Sequence, residues 1–459
     1  MKVFQGVNSN SQTLKLVFKI LAGLILTLGI LLLSLVTVID RTPYQEMPYY
    51  KEWKSNISKL EVKLASGQDS LMVGWAKVNI TPTNPIPLAG YGKRKGKHYE
   101  SVHDSVFVRT IFIENNGIKS AIVSADLLII PPTVSNLVKE RIAETGLLFD
   151  QVYLGATHSH NSLGAWYNTL VGTLFAGEYN PKIEKAIADG IIQSIKEASK
   201  TTKAASVTFE KDEDSKDIKN RVIKGGKIEP FIRMLSFKTA TEKALLTTYA
   251  AHSTILNAAT LKLSRDYPGV LVDSLENSDV TFAIYMAGAV GSMAPIEFGK
   301  NDFDELNNQA MGVLREIRSE NELEEQIKAP SINNIQLPLP LRKASPRIAK
   351  NLALRPWVFK WLFGESPAFV KALSIGNILM IGLPCDFSGE LMEELDHYAQ
   401  SKGLNLIITS FNGTYAGYIT ADEHFDFENY ETYTMSWFGP YNGAYFSEVV
   451  RDVIDKVSL

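Results

Sequence analysis

The sequence predicts an α/β domain of layered mixed sheets preceded by a single N-terminal transmembrane helix. Three observations carry this. Residues 20–39 are an uncharged apolar run. From about Leu71 onward, short apolar runs alternate with amphipathic stretches and show no internal repeat. Those apolar runs are continuous, which suits strands covered on both faces.

The elements follow in chain order. At about 1.5 Å per residue, the N-terminal run spans a hydrocarbon core of about 30 Å. Lys2, Lys15 and Lys19 precede it, so the short N-terminus stays cytoplasmic and the rest lies on the extracytoplasmic side. A cleaved signal peptide is the rival reading. The run is longer than the usual ~7–15 residues, and no small-x-small site follows it. Residues 1–15 therefore read as a cytoplasmic N-terminus and 16–40 as a signal anchor. Residues 41–70 read as a juxtamembrane spacer and 71–459 as one catalytic domain. Within the spacer a helix is expected around Tyr50–Leu64, with its tyrosines and Trp53 either at the headgroup level or packed.

"SAIVSADLLII" (120–130) reads as a buried strand. "PPTVSNLVKERIAETG" (131–146) then has prolines at its start, helical apolar spacing and a stopping glycine. "FDQVYLGAT" is the next strand, and "PKIEKAIADGIIQSIKEASK" (181–200) an amphipathic helix. Further strand-like runs occupy 245–251, 280–290, 372–383 and 404–411.

Composition removes several functions. A net charge of −3 offers no basic face for nucleic acid. The single cysteine, Cys385, excludes an internal disulfide and a thiolate metal cluster. No phosphate loop, dinucleotide fingerprint or Gly-x-Ser-x-Gly elbow occurs.

What remains is a set of strand-end residues. In "LGATHSH", His158 and His160 follow an apolar strand. If the strand continued through them, both would face one side, and neutral imidazole is the commonest metal ligand. His252 ends a second apolar run in "TTYAAHST". Asp386 follows a third in "IGLPCDFSGELMEEL", where a helix N-cap is the plainer reading. The segment 410–440 is rich in tyrosine and lacks helical periodicity.

Together these stretches resemble the neutral/alkaline non-lysosomal ceramidase family, specifically its N-terminal catalytic domain. "VGWAKVNITPTNPIPLAGYG" (73–92), "HDSVFVRTIFIENNGIKSAIVSADLL" (103–128), "ATHSHNS", "YAAHSTIL" and "GTYAGYITADEHFDFENYETYT" occur in the family's order. The resemblance implies a ceramidase-type fold over residues 71–450 and a Zn²⁺ site held by His158, His252, Asp386 and Tyr418. It implies catalytic roles for His160, Tyr430 and Arg221, the last on the short match "KNRVIKGG". The implied activity is hydrolysis of the N-acyl amide of ceramide or a related lipid by a metal-activated water. The partners implied are a lipid amide and the membrane; no nucleic acid and no protein partner is expected.

Three departures stand out. Asp386 replaces a glutamate, so its carboxylate must come from a closer backbone or yield to Glu390. Ala294 occupies the family's serine position, with Ser292 two residues before it, which removes any attack by that serine. The chain stops at Leu459 without the C-terminal immunoglobulin-like domain of many members. Two alternatives stay open: a zinc amidase acting on another N-acyl substrate, and a lipid-binding homologue that has lost its chemistry.

Overall fold

The computed structural model describes residues 8–62, 71–319, 325–327, 330–365 and 367–458. Its larger sheet is mixed. From edge to edge the strands are Phe282–Ala287, Lys243–Tyr249, Phe231–Lys238, Lys203–Glu213, Leu71–Asn79, Phe107–Asn115, Ile118–Ala125 and Val152–Ala156. Glu325–Ile327 adds a ninth strand alongside Lys203–Glu213. The second sheet runs Ile332–Pro338, Phe369–Ile375, Ile378–Gly382, Asn405–Thr409.

The period-two alternation of strand side chains builds the layers. Ile111, Ile113 and Leu246 of the large sheet meet Leu373, Met380 and Ile407 of the small one in a shared apolar layer. Their neighbours Phe112, Val123 and Leu154 turn outward onto helices Pro132–Arg141 and Pro181–Ala198. Leu379, Ile381 and Leu406 turn the other way, onto helices Met392–Ser401 and Asn442–Val457. Strands Val152–Ala156, Lys243–Tyr249, Phe282–Ala287 and Ile378–Gly382 are thus covered on both faces, which is why their apolar runs are continuous. The run 372–383 is two strands rather than one, reversing at Gly376, whose φ of 60° suits a residue without a side chain.

The large sheet curls until its two edges meet. Ser124 Oγ donates to Tyr285 O at 2.6 Å and Arg109 Nη1 to Ala283 O at 3.0 Å across the gap. Gly155 permits the approach, since a Cβ there would lie 2.9 Å from Met286 Cε. The loops after Val152–Ala156, Lys243–Tyr249 and Phe282–Ala287 consequently leave the sheet side by side.

At the N-terminus the helix Asn8–Leu35 contains a stretch, Thr13–Leu35, long and apolar enough to cross a membrane. It ends at Leu35 because the β-branched run Val36–Val38 leaves the helix and pairs antiparallel with Leu352–Leu354. The next stretch is folded against the body of the protein. Helix Pro48–Ser58 buries Tyr49, Trp53 and Ile57 against the C-terminal helix. Trp53 Nε1 donates to Asp452 Oδ2 at 2.8 Å. These aromatics are packing contacts; residue 64, the expected end of this helix, lies outside the described residues.

Candidate metal centre

The strand Val152–Ala156 stops two residues before His158, which sits in the left-handed region at φ 62°. The two histidines therefore do not converge by strand alternation, as extended backbone would have had them do. A tight turn brings them together, with ring centroids 4.7 Å apart. Phe411, also left-handed at φ 68°, stacks on the His158 ring at 4.1 Å. His252 arrives from the neighbouring loop, and the ring nitrogens of His158, His160 and His252 lie within 4.8 Å of one another.

The hydrogen bonds fix how two of these rings face. His158 Nδ1 contacts Leu128 O at 2.6 Å and His252 Nδ1 contacts Val290 O at 3.2 Å. A carbonyl only accepts, so both Nδ1 atoms carry the proton and both Nε2 atoms present lone pairs. Those Nε2 atoms face each other at 2.8 Å. Asp386 Oδ1 lies 3.4 Å from His158 Nε2, is buried and has no hydrogen-bond partner among the described residues. Its other oxygen accepts from Tyr415 Oη at 2.7 Å. Tyr418 Oη stands 3.5 Å from His252 Nε2.

Two imidazole lone pairs and a bare carboxylate oxygen thus point into one buried space with too few protons to share. A cation satisfies all of them. Tetrahedral coordination at about 2.0–2.2 Å separates ligand atoms by roughly 3.3 Å, and the three contacts just given bracket that spacing. The nitrogen and oxygen donor set, without thiolate, suits zinc among other divalent ions. The three imidazoles can hold a metal ion.

Without a cation the site disfavours positive charge. Burial, with repulsion from His158, holds His160 and His252 well below the ordinary imidazole value. Burial and the Asp386 charge push the Tyr418 phenol well above its usual range and Tyr430 up to about 12. A bound divalent ion would reverse the upward shifts of the two phenols and deepen the downward shifts of the imidazoles.

Asp386 is not a helix cap. It lies in the short strand Asp386–Phe387, which pairs in parallel with Tyr418–Ile419, and the following helix starts only at Met392. That bridge sets Asp386 and Tyr418 directly opposite one another. Glu390 is turned away: Asn220 Nδ2 donates to it at 2.7 Å, and His424 Nδ1 stands at 3.3 Å. Tyr430 packs edge-on to Tyr418, centroids 5.9 Å apart, and is 43% exposed. His160 leaves Nδ1 buried without a partner. Arg221 pairs with Glu431 at 2.5 Å, and its backbone N–H donates to Ser292 O at 2.9 Å. Ser388 Oγ donates to the buried Ser292 hydroxyl.

Five participants escape the sequence reading: Phe411, Tyr415, Glu431 and the two orienting carbonyls, Leu128 O and Val290 O. Tyr415 lies three residues before Tyr418 in the same motif, which was its one available signal.

The family model of neutral/alkaline non-lysosomal ceramidase, N-terminal, matches residues 71–294. The fold is also that of solved ceramidases. The chain is similar to neutral ceramidase from Pseudomonas aeruginosa, with a TM-score of 0.76 and 18% identity over 85% of this chain and 75% of that one. A ceramidase complexed with C2 gives a TM-score of 0.72 at 18% identity, covering 84% and 75%. No curated protein sequence matches. The family region supplies His158, His160, His252, Arg221 and Ser292, while Asp386, Tyr418 and Tyr430 come from the part of the chain beyond it.

Proposed function

We propose that the protein is a membrane-anchored zinc amidohydrolase that cleaves the N-acyl amide of ceramide or a closely related lipid, its catalytic domain on the extracytoplasmic side. One observation carries the reading. His158 and His160 open onto a largely apolar cavity of about 1070 Å³, and the Asp386 oxygen lies beside them, 3.4 Å from His158 Nε2. Tyr418 and Tyr430 line the cavity with them, as do Phe359, Phe363 and Trp437. The volume reaches the top of the ~300–1,000 Å³ range of small-molecule pockets. It favours an acyl chain over an acetyl group, and so a lipid amide over an acetylated sugar. The family match and the ceramidase neighbours support the same reaction class.

His158, His252, Asp386 and Tyr418 would hold the ion. Bound there, Zn²⁺ supplies Lewis acidity toward the amide oxygen and lowers the pKa of water to about 7. The chain's own residues do the rest. His160, neutral and half-buried, turns Nε2 toward the site, 3.2 Å from His158 Nε2, and would accept or return a proton at that nitrogen. Tyr430, at the exposed side of the site, donates its phenolic proton toward the tetrahedral oxyanion or the leaving amine. Arg221, fixed by Glu431, lends positive charge to the Tyr418 and Asp386 side. The apolar walls hold the acyl chain and exclude bulk water.

The test is hydrolysis of a fluorescent ceramide by the purified full chain. Chelation should abolish turnover, and Zn²⁺ should restore it. His158→Ala and His252→Ala should each lower kcat/KM at least 10³-fold and reduce bound metal measured on the same samples. A metal-free protein with full activity would overturn the zinc reading. Activity on short N-acyl amides alone would move the substrate away from lipids.

A further inference from the structure

Helix Pro356–Phe363, "PWVFKWLF", has two unlike faces. Its inner face belongs to the cavity: Phe359 and Phe363 stack at 4.4 Å and both pack on Trp437, at 5.2 and 4.9 Å. Two indoles stand out of the helix into solvent: Trp357, at the cavity's edge, and Trp361, one turn on and outside the lining, 53% and 68% exposed. Helix Leu170–Ala176 packs beside it and leaves Leu170 and Leu174 exposed as well. Two indoles in water are an expensive arrangement, because each buries about 150–250 Å² when given a partner. Tryptophan is favoured where one side of the ring is apolar and the other wet.

The neighbour of this helix says what covers it. The last turn of the N-terminal helix ends in carbonyls that have no partner within the helix. Arg355 N donates to Leu35 O at 2.8 Å, Arg355 Nε to Leu33 O at 3.1 Å and Trp357 Nε1 to Ser34 O at 3.1 Å. The strand Val36–Val38 continues the junction by pairing with Leu352–Leu354. The end of the candidate membrane span is thereby bonded to the first turn of the tryptophan helix. With the span in a bilayer, residues 33–35 lie at the edge of the hydrocarbon. A helix attached there is held at the headgroup boundary, and its attachment is continuous with the anchor itself.

We propose that helix Pro356–Phe363 is a bilayer-seated rim of the cavity, so that the lipid amide passes from the anchoring membrane along Phe359 and Phe363 to the histidines without crossing water. This rests on the lipid-amidase reading for its cargo and on the membrane span for its partner, which is the phospholipid bilayer. The arrangement explains why one short helix is apolar on both sides: one face meets acyl chains in the membrane and the other meets them in the cavity.

Two measurements on the full chain in phosphatidylcholine nanodiscs test it. The first is tryptophan emission with lipids brominated near the headgroup end of the acyl chain. Trp357 and Trp361 are two of six tryptophans, so roughly a third of the emission should be quenched, and Trp357→Phe/Trp361→Phe should abolish that loss. Equal quenching in the double variant would overturn the seating, as would unquenched indoles accompanied by a cross-linked dimer of this chain. The second uses Trp361→Asp, at a position outside the cavity lining. Its KM for bilayer-presented ceramide should rise about tenfold, while kcat/KM for a short-chain soluble N-acyl substrate stays unchanged. Equal losses on both substrates would refute lateral access. If no form turns over any amide, the proposed function fails, and the quenching still decides the seating.

Discussion

Replacing Asp386 by asparagine should raise stability without metal and cut the stabilisation that metal brings. With metal removed by chelation, Asp386 Oδ1 is a buried oxygen with no hydrogen-bond donor among the described residues, 3.4 Å from His158 Nε2. An asparagine amide placed there can donate to the lone pair of His158 Nε2 while its oxygen keeps the bond from Tyr415. Relieving a buried unsatisfied group is worth about 1–3 kcal/mol. At about 2.1 cal/mol/K of unfolding entropy per residue, a chain of this length gains roughly 1 °C per kcal/mol, so the metal-free variant should melt about 1–3 °C above wild type. Metal offsets most or all of this advantage. Ion at about 1,000 times its dissociation constant stabilises the wild type by about 4 kcal/mol. Losing an anionic ligand weakens binding about 100-fold or more, leaving about 1.4 kcal/mol at the same concentration. The metal-induced shift should therefore fall from about 4 °C to about 1.5 °C. Differential scanning fluorimetry in chelator and in excess Zn²⁺ reads both arms. A variant that melts lower in chelator and shifts fully with zinc would show that no cation sits against Asp386.

Tyr415→Phe removes the donor to Asp386 Oδ2. It should cost about 1–3 kcal/mol and lower metal affinity about 10–100-fold, read by competition with a zinc dye. Lys371 is buried over the Phe149 ring, donates to Phe149 O and is pushed down to about 7 by burial. Its folded value lies below the unfolded ~10.4, so the unfolded state binds more protons between pH 7 and 10.4. Stability then rises with pH across that window by about 1.4 kcal/mol per unit. Lys371→Met should flatten this slope in denaturant titrations and raise the midpoint at pH 7. Trp53→Ala deletes a fully buried indole and its bond to Asp452. It should destabilise the fold by about 3–5 kcal/mol in the same titrations, a loss that a loosely tethered linker would not produce.

The layered fold was legible because it is written in local pattern. A strand covered on both faces needs a continuous apolar run, and a helix on the outside needs one stripe, so the runs at 120–130, 245–251 and 404–411 and the stripe at 181–200 announce themselves. What local pattern does not encode is curvature. Nothing in "LLTTYAA" or "FDQVYLGAT" says that the strands they form lie at opposite parts of one sheet and still deliver His252 and His158 to the same point. That depends on the sheet curling over Gly155 and Met286. The aromatics at 44–57 were ambiguous for a related reason. Their partner, the helix Asn442–Val457, lies about 400 residues away in sequence, and no spacing within residues 41–62 reveals it.

Within the site, residue type was legible and geometry was not. The shorter acid at 386 raised the question of how its carboxylate could reach a metal, and the answer lies in a glycine. Gly291 sits so close to the Asp386 backbone that a Cβ would lie 2.4 Å from Asp386 O, while its N–H donates to Phe387 O at 2.7 Å. On the other side the Asp386 N–H donates to Gly417 O at 3.0 Å, and Tyr418 lies directly opposite. Clamped between two glycine-bearing segments, the backbone approaches the histidines far enough for a one-methylene side chain to bring its oxygen within 3.4 Å of His158. The same clamp holds Glu390 off, committed to Asn220 and His424. Asp386 thus reaches His158 through the placement of its strand, and the proposal that it serves as the acidic ligand rests on that placement.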